Sequence, residues 1–209
     1  MVNISGINIV YATTTILLLS TFGIFARGLD TEAFDLILVF TGRLGLILFV
    51  LSFGASKFHA IFRAGWSKQL LKNRRYLGIA AALVMFLHLI WIYAKVLILP
   101  EWWVAISEFD KVFGIVTLLI VSVMGLTSNN TSMKLLGMKN WKRLHLIGGY
   151  IALWAFTMEY MPILFPDPES PEPRQTPSIA YLMFILILTV AIVRFWKSKF
   201  VHVLTHKKK

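Results

Sequence analysis

The chain has 209 residues, no cysteine and a formal net charge of +11, and it is 57% hydrophobic against 15% charged. A soluble domain averages about a quarter charged residues, so this composition describes a one-domain integral membrane protein over residues 1–209. Without cysteine there are no disulfides, thiolate nucleophiles, iron–sulfur clusters or covalently attached haem, and in so apolar a chain the basic excess reflects topology and anionic lipid rather than nucleic acid.

Runs of the length needed to cross about 30 Å of hydrocarbon predict an all-α bundle of six transmembrane helices, at about 7–26, 36–56, 76–98, 112–128, 144–165 and 179–196. The first run lacks the basic flank and small-residue cleavage site of a secretory signal, so it is read as a span. Its Thr13, Thr14 and Thr15 can bond back to helix carbonyls and are given no function. The connection between the second and third runs holds Lys57, Arg63, Lys68, Lys72, Arg74 and Arg75 without an acid, and that before the fifth holds Lys134, Lys139, Lys142 and Arg143. Arg194, Lys197, Lys199 and Lys207–Lys209 mark a basic tail over residues 197–209 and its approach. Asp30, Glu32, Asp35, Glu101, Glu108, Asp110, Asp167, Glu169 and Glu172 occupy the alternate connections. The positive-inside rule then places both termini in the cytoplasm. Residues 56–75 read as an amphipathic segment on anionic headgroups, or as a docking surface for an electron donor. The acidic, proline-rich stretch 166–177 reads as an extended outer loop. No repeat, phosphate-cradling loop or nucleotide fingerprint is present, so any flavin or nicotinamide belongs to another chain.

Ionisable and metal-ligating residues inside a span are functional candidates. His88 lies past the middle of the third run, and His145 just inside the fifth. Met158 follows His145 by thirteen residues, about 20 Å along a helix and within about 60° of the same face. His88 and Met158 fall at one depth and His145 at another. Each histidine has small residues near it, Gly78 and Ala80–Ala82 on one run and Gly148 and Gly149 on the other, which would admit a flat macrocycle. Histidine and methionine both ligate haem iron; the plainer alternatives are a packed histidine and a gap-filling methionine. Arg43 lies near the His88 depth, where it would clamp a haem propionate or pair with Glu159. Arg74 and Arg75 are candidates for propionates at the cytoplasmic side. His59 is a candidate partner for His145 or an interfacial side chain, and His202 and His206 read as solvated.

The pieces FTGRLG, KNRRYLGIAAALVMFLHLIWIY and WKRLHLIGGYIALWAF, in that order, resemble the ferric-reductase-like transmembrane domain over about residues 36–165. Within it they most resemble the MsrQ/YedZ-type haem-binding membrane subunit of the periplasmic methionine-sulfoxide reductase system. That resemblance implies a cytochrome b-like bundle with haem b, one or two, held by histidines on the third and fifth spans, which map to His88 and His145. The family usually has a further histidine thirteen residues after the fifth span's first; here Met158 stands in that position. The implied oxidoreductase role is to move electrons from a cytoplasmic flavoprotein (flavin) or quinol (quinone) donor to an outer-face partner reductase or ferric iron, in a bacterial inner membrane. The competing expectation is a non-redox transporter or assembly factor using Arg43, Glu159 and His88 as a polar pathway.

Overall fold

A computed structural model describes residues 6–26, 28–104, 106–164 and 177–205. It contains seven helices: α1 Ile7–Phe25, α2 Thr31–Phe62, α3 Gly65–Ile98, α4 Pro100–Val104, α5 Glu108–Leu126, α6 Asn130–Leu164 and α7 Pro177–Thr205, with no strand among the described residues. The six expected runs each fall on one of the long helices. Among the described residues, segments within α1, α2, α3, α5 and α7 are long and apolar enough to cross a membrane. The chain is a multi-pass integral membrane protein, and side chains such as Leu18, Leu19, Phe22 and Leu182 are exposed on the helix surfaces that lipid covers.

The two ends of the bundle differ in charge. At the acidic end, Asp30 caps α2 by accepting the Ala33 N–H at 2.8 Å, and Ser107 caps α5 by accepting the Asp110 N–H at 3.1 Å. Glu32, Glu108 and Asp110 lie in the first turns of these helices, where the helix dipole favours negative charge. Lys95 on α3 is fully buried there and pairs with Asp35 on α2 at 2.5 Å, while its ammonium lies 4.3 Å from the centre of the Trp102 ring on α4. Phe25, Phe34 and Trp91 close the same end of α1, α2 and α3, with ring centroids 5.3 and 5.0 Å apart.

At the basic end α2 and α3 run on together. Helices of 32 and 34 residues measure about 48 and 51 Å, well beyond the hydrocarbon thickness of about 30 Å. The Gly6 N–H at the start of α1 bonds the Asn73 side chain at 2.8 Å, and Arg75 reaches the α5–α6 junction, so about eight residues of α3 project past the ends of α1 and α5. The expected amphipathic segment over residues 56–75 is therefore the tip of a helical hairpin. Its turn is made by Arg63 in the left-handed region (φ 48°) and pinned by Ser67, whose Oγ accepts the Ala64 N–H at 3.1 Å and donates to the Ala64 carbonyl at 2.9 Å. A second change of direction comes at Gly137 (φ 72°), where residues 130–136 turn into the longer remainder of α6. The stretch 166–177 falls almost wholly outside the described residues, as do His206 and the lysines that follow it.

Small residues set the helix spacing, as expected where lipid gives no hydrophobic drive for helix association. α2 and α3 form the most extensive pair, and α5 packs on both α3 and α6. A Cβ at Gly148 would strike Met124 on α5, one at Gly149 would strike the Phe53 ring on α2, and one at Gly125 would strike the Ala82 Cβ on α3. Ala82 cannot swing aside, so Gly125→Ala should destabilise the bundle by about 1–3 kcal/mol. Gly114→Ala, with open space at the new Cβ, should be neutral or slightly stabilising in the same thermal-unfolding series in detergent.

Candidate functional site

His88 projects from α3 onto the stretch of α2 that carries Thr41, Gly42 and Gly45. Its Cε1 lies 3.7 Å from the position a Cβ would take at Gly42, and Met85, one turn earlier, fills the space over Gly45. The His88 Nδ1 is 2.8 Å from the Oγ1 of fully buried Thr41. That hydroxyl has a single proton and is 2.7 Å from the carbonyl of Ile37, one turn back on α2. With the proton donated to Ile37, the hydroxyl is an acceptor toward the ring. In that placement the proton of His88 sits on Nδ1 and the lone pair on Nε2. This is the arrangement of a metal-ligating histidine, whose other nitrogen is oriented by a second hydrogen bond.

His145 is supported in a related way, at lower strength. Its Nε2 lies 3.4 Å from the Thr127 Oγ1 at the end of α5, and that hydroxyl donates to the Val123 carbonyl at 2.8 Å. Trp141 packs on the imidazole with centroids 4.2 Å apart and donates its indole N–H to the Thr127 carbonyl at 2.9 Å. The nitrogen turned to the hydroxyl is Nε2 here and Nδ1 in His88. Arg75 anchors the same level by donating to the Ser128 carbonyl at 2.8 Å and to the Asn130 side chain at 3.0 Å. His88 is thirteen residues along α3 from Arg75, which separates the two histidine levels by about 20 Å. α3 and α6 do not form one of the extensive helix pairs; both pack on α5.

The remaining candidates are dispersed. Arg43 is half-buried two positions after Thr41, and residues at that spacing do not share a helix face. Arg74 is exposed at the basic end, within electrostatic reach of both His145 and Arg194. Met158 is 37% exposed on α6, and Glu159 beside it is also exposed. The His59 Nδ1 is hydrogen-bonded with the Ser67 Oγ at 3.1 Å, and His59 so belongs to the α2–α3 turn. Among the described residues, no three His, Cys, Asp or Glu side chains converge on a bare-ion site. A haem iron needs only axial donors, and the tautomer of His88 fits that requirement.

Four residues with structural parts to play carried no assignment in the sequence reading. Thr41 was visible only as a letter of FTGRLG, and Thr127 only as a polar residue near a span end. Lys95 could have been found as a cation inside an apolar run at the depth of Asp35 on the neighbouring run. Arg194, counted with the tail charges, is 8% exposed and donates from Nη1 to the Phe53 carbonyl at 2.7 Å.

Two comparisons check these pairings. Thr41→Val removes the acceptor and leaves a buried ring N–H unanswered, at about 1–3 kcal/mol; Thr41→Ser should recover most of the loss in equilibrium unfolding. Asp35→Asn leaves a buried ammonium without its anion and should cost about 1–3 kcal/mol, discounted because the carboxylate is half-exposed. Lys95→Met, which leaves only that solvated carboxylate, should cost less in the same assay.

The model of the family described as ferric reductase like transmembrane component matches residues 41–156, more than half of the chain. The match begins at Thr41, includes His88, Thr127 and His145, and ends two residues before Met158. No curated protein matches the chain. Both threonine-supported histidines therefore lie within the matched region, and the chain belongs to the ferric reductase like transmembrane family.

Proposed function

We propose that the chain is a haem b-binding, six-span electron carrier, with α6 as the sixth span and the basic end facing the cytoplasm. Electrons enter at the basic end from a flavoprotein or quinol and leave at the acidic end to a partner reductase or ferric iron. The observation that carries the reading is the hydrogen bond between His88 and Thr41. It holds the Nε2 lone pair of an intramembrane imidazole ready for a metal, on a helix of the matched family region.

Bound haem supplies one-electron iron chemistry that no side chain of this cysteine-free chain offers. In this reading His88 Nε2 would hold the haem iron at the level nearer the acidic end, with Met158 as a further candidate ligand there. His145, braced by Thr127 and Trp141, belongs to a second level nearer the basic end. Arg43 and Arg74 are the candidates for propionates, whereas the guanidinium of Arg75 is committed to the α5–α6 junction. The direction of flow follows from the charge of the two ends, because a basic end belongs in the cytoplasm. A bacterial inner membrane and a methionine-sulfoxide reductase as the outer partner complete the proposal through the resemblance alone.

The test is an absorption and electron paramagnetic resonance series on protein expressed with ample haem. Wild type should show a Soret band and a low-spin ferric signal. His88→Ala should lose the haem at its level or convert it to high spin, and His145→Ala should remove a second, spectrally distinct component. Met158→Ala should shift the low-spin signal. A colourless wild-type protein under these conditions refutes haem binding, and an unchanged Met158→Ala spectrum removes that ligand.

A further inference from the structure

Arg194 is the cation at the basic end that the bundle has taken in most deeply. Its Nη1 donates to the Phe53 carbonyl on α2, and its guanidinium carbon lies 3.6 Å from the Phe53 ring centre and 5.2 Å from that of Tyr150 on α6. It thus joins α7 to α2 and α6 at one point. Its Nε is buried without a hydrogen-bond partner among the described residues. The charge acting between it and a neighbour is repulsive, since Arg74 is within electrostatic reach. Among the described residues no carboxylate is at hand: Asp30, Glu32, Asp35, Glu101, Glu108 and Asp110 belong to the acidic end, and Glu159 is fourteen residues along α6 from His145 in that direction. A carbonyl dipole and two aromatic faces offset only part of what a desolvated guanidinium loses. The planar fork of donors suits an oxyanion.

We propose that Arg194 and Arg74 form an oxyanion site where α2, α6 and α7 meet at the basic end, and that it takes the phosphate or carboxylate of an amphiphile lying in that leaflet. Arg194 supplies the buried donors and Arg74 the solvent-side charge. Two sources carry such a group: the phosphate of an anionic lipid, or a carboxylate of the haem. The second source rests on the function proposed above.

The lipid arm uses haem-free protein in phosphatidylcholine nanodiscs, with and without phosphatidylglycerol. If lipid is the source, phosphatidylglycerol raises the unfolding temperature of wild type by several degrees and leaves Arg194→Gln and Arg74→Gln unmoved. The cofactor arm compares haemin with its dimethyl ester, which lacks the free carboxylates. If haem is the source, wild type binds haemin at least tenfold tighter than the ester, and the ratio falls toward one in both variants. Should Arg194→Gln fail to fold, the exposed Arg74→Gln carries both comparisons. A protein that binds neither haemin nor ester refutes the haem reading and leaves the lipid arm to decide this site. Equal lipid responses together with equal haemin-to-ester ratios in wild type and variants overturn the proposal.

Discussion

A ring nitrogen removed from water must find a polar partner inside the protein, and His59, His88 and His145 all find a hydroxyl. In each case the hydroxyl donates its one proton to a nearby backbone carbonyl: Ser67 to Ala64, Thr41 to Ile37 and Thr127 to Val123. With its proton so placed the hydroxyl is an acceptor toward the ring, and the imidazole donates. The backbone therefore sets the tautomer through one intervening side chain, without spending a charged residue in hydrocarbon. For His88 the consequence is chemical, because the basic nitrogen is Nε2. For His59 it is architectural, because the bond closes the α2–α3 turn.

The charged residues follow a different logic at each end. At the acidic end the buried ammonium of Lys95 is answered by Asp35 and the Trp102 face, Asp30 caps α2, and Glu32, Glu108 and Asp110 lie in the first turns of helices whose N-termini are there. At the basic end Arg75 and Arg194 have carbonyls, an amide and aromatic rings for company, and among the described residues no carboxylate pairs with them. An end built in this way keeps a positive potential at the surface, where it favours anionic groups. The α2–α3 hairpin, projecting about eight residues past the neighbouring helices, carries much of that charge away from the bilayer.

Much of the architecture was legible in the sequence. Each of the six apolar runs lies on a helix, and the segregation of acids from bases along the chain became a segregation of ends in space. The helix lengths were not legible, since hydropathy stops where charge begins, while α2 and α3 continue through Lys57, Lys68 and Lys72 as one hairpin. His88 and His145 were readable because an imidazole in an apolar run is rare. Their supports were not, because threonine and serine are common in such runs and only the facing helix distinguishes Thr41 from Thr13.

The sequence by itself determined that the chain crosses a membrane several times, which of its ends are basic, and which imidazoles stand within the spans. These are properties of composition and order along one strand, and hydrocarbon enforces them segment by segment. Only the tertiary structure decided that Thr41 orients His88, that Lys95 meets Asp35, and that Arg194 turns inward beneath Phe53 and Tyr150. Those outcomes depend on which helix faces which and at what depth, and that is set in part by where glycines such as Gly45, Gly125 and Gly149 leave room for a side chain of the facing helix.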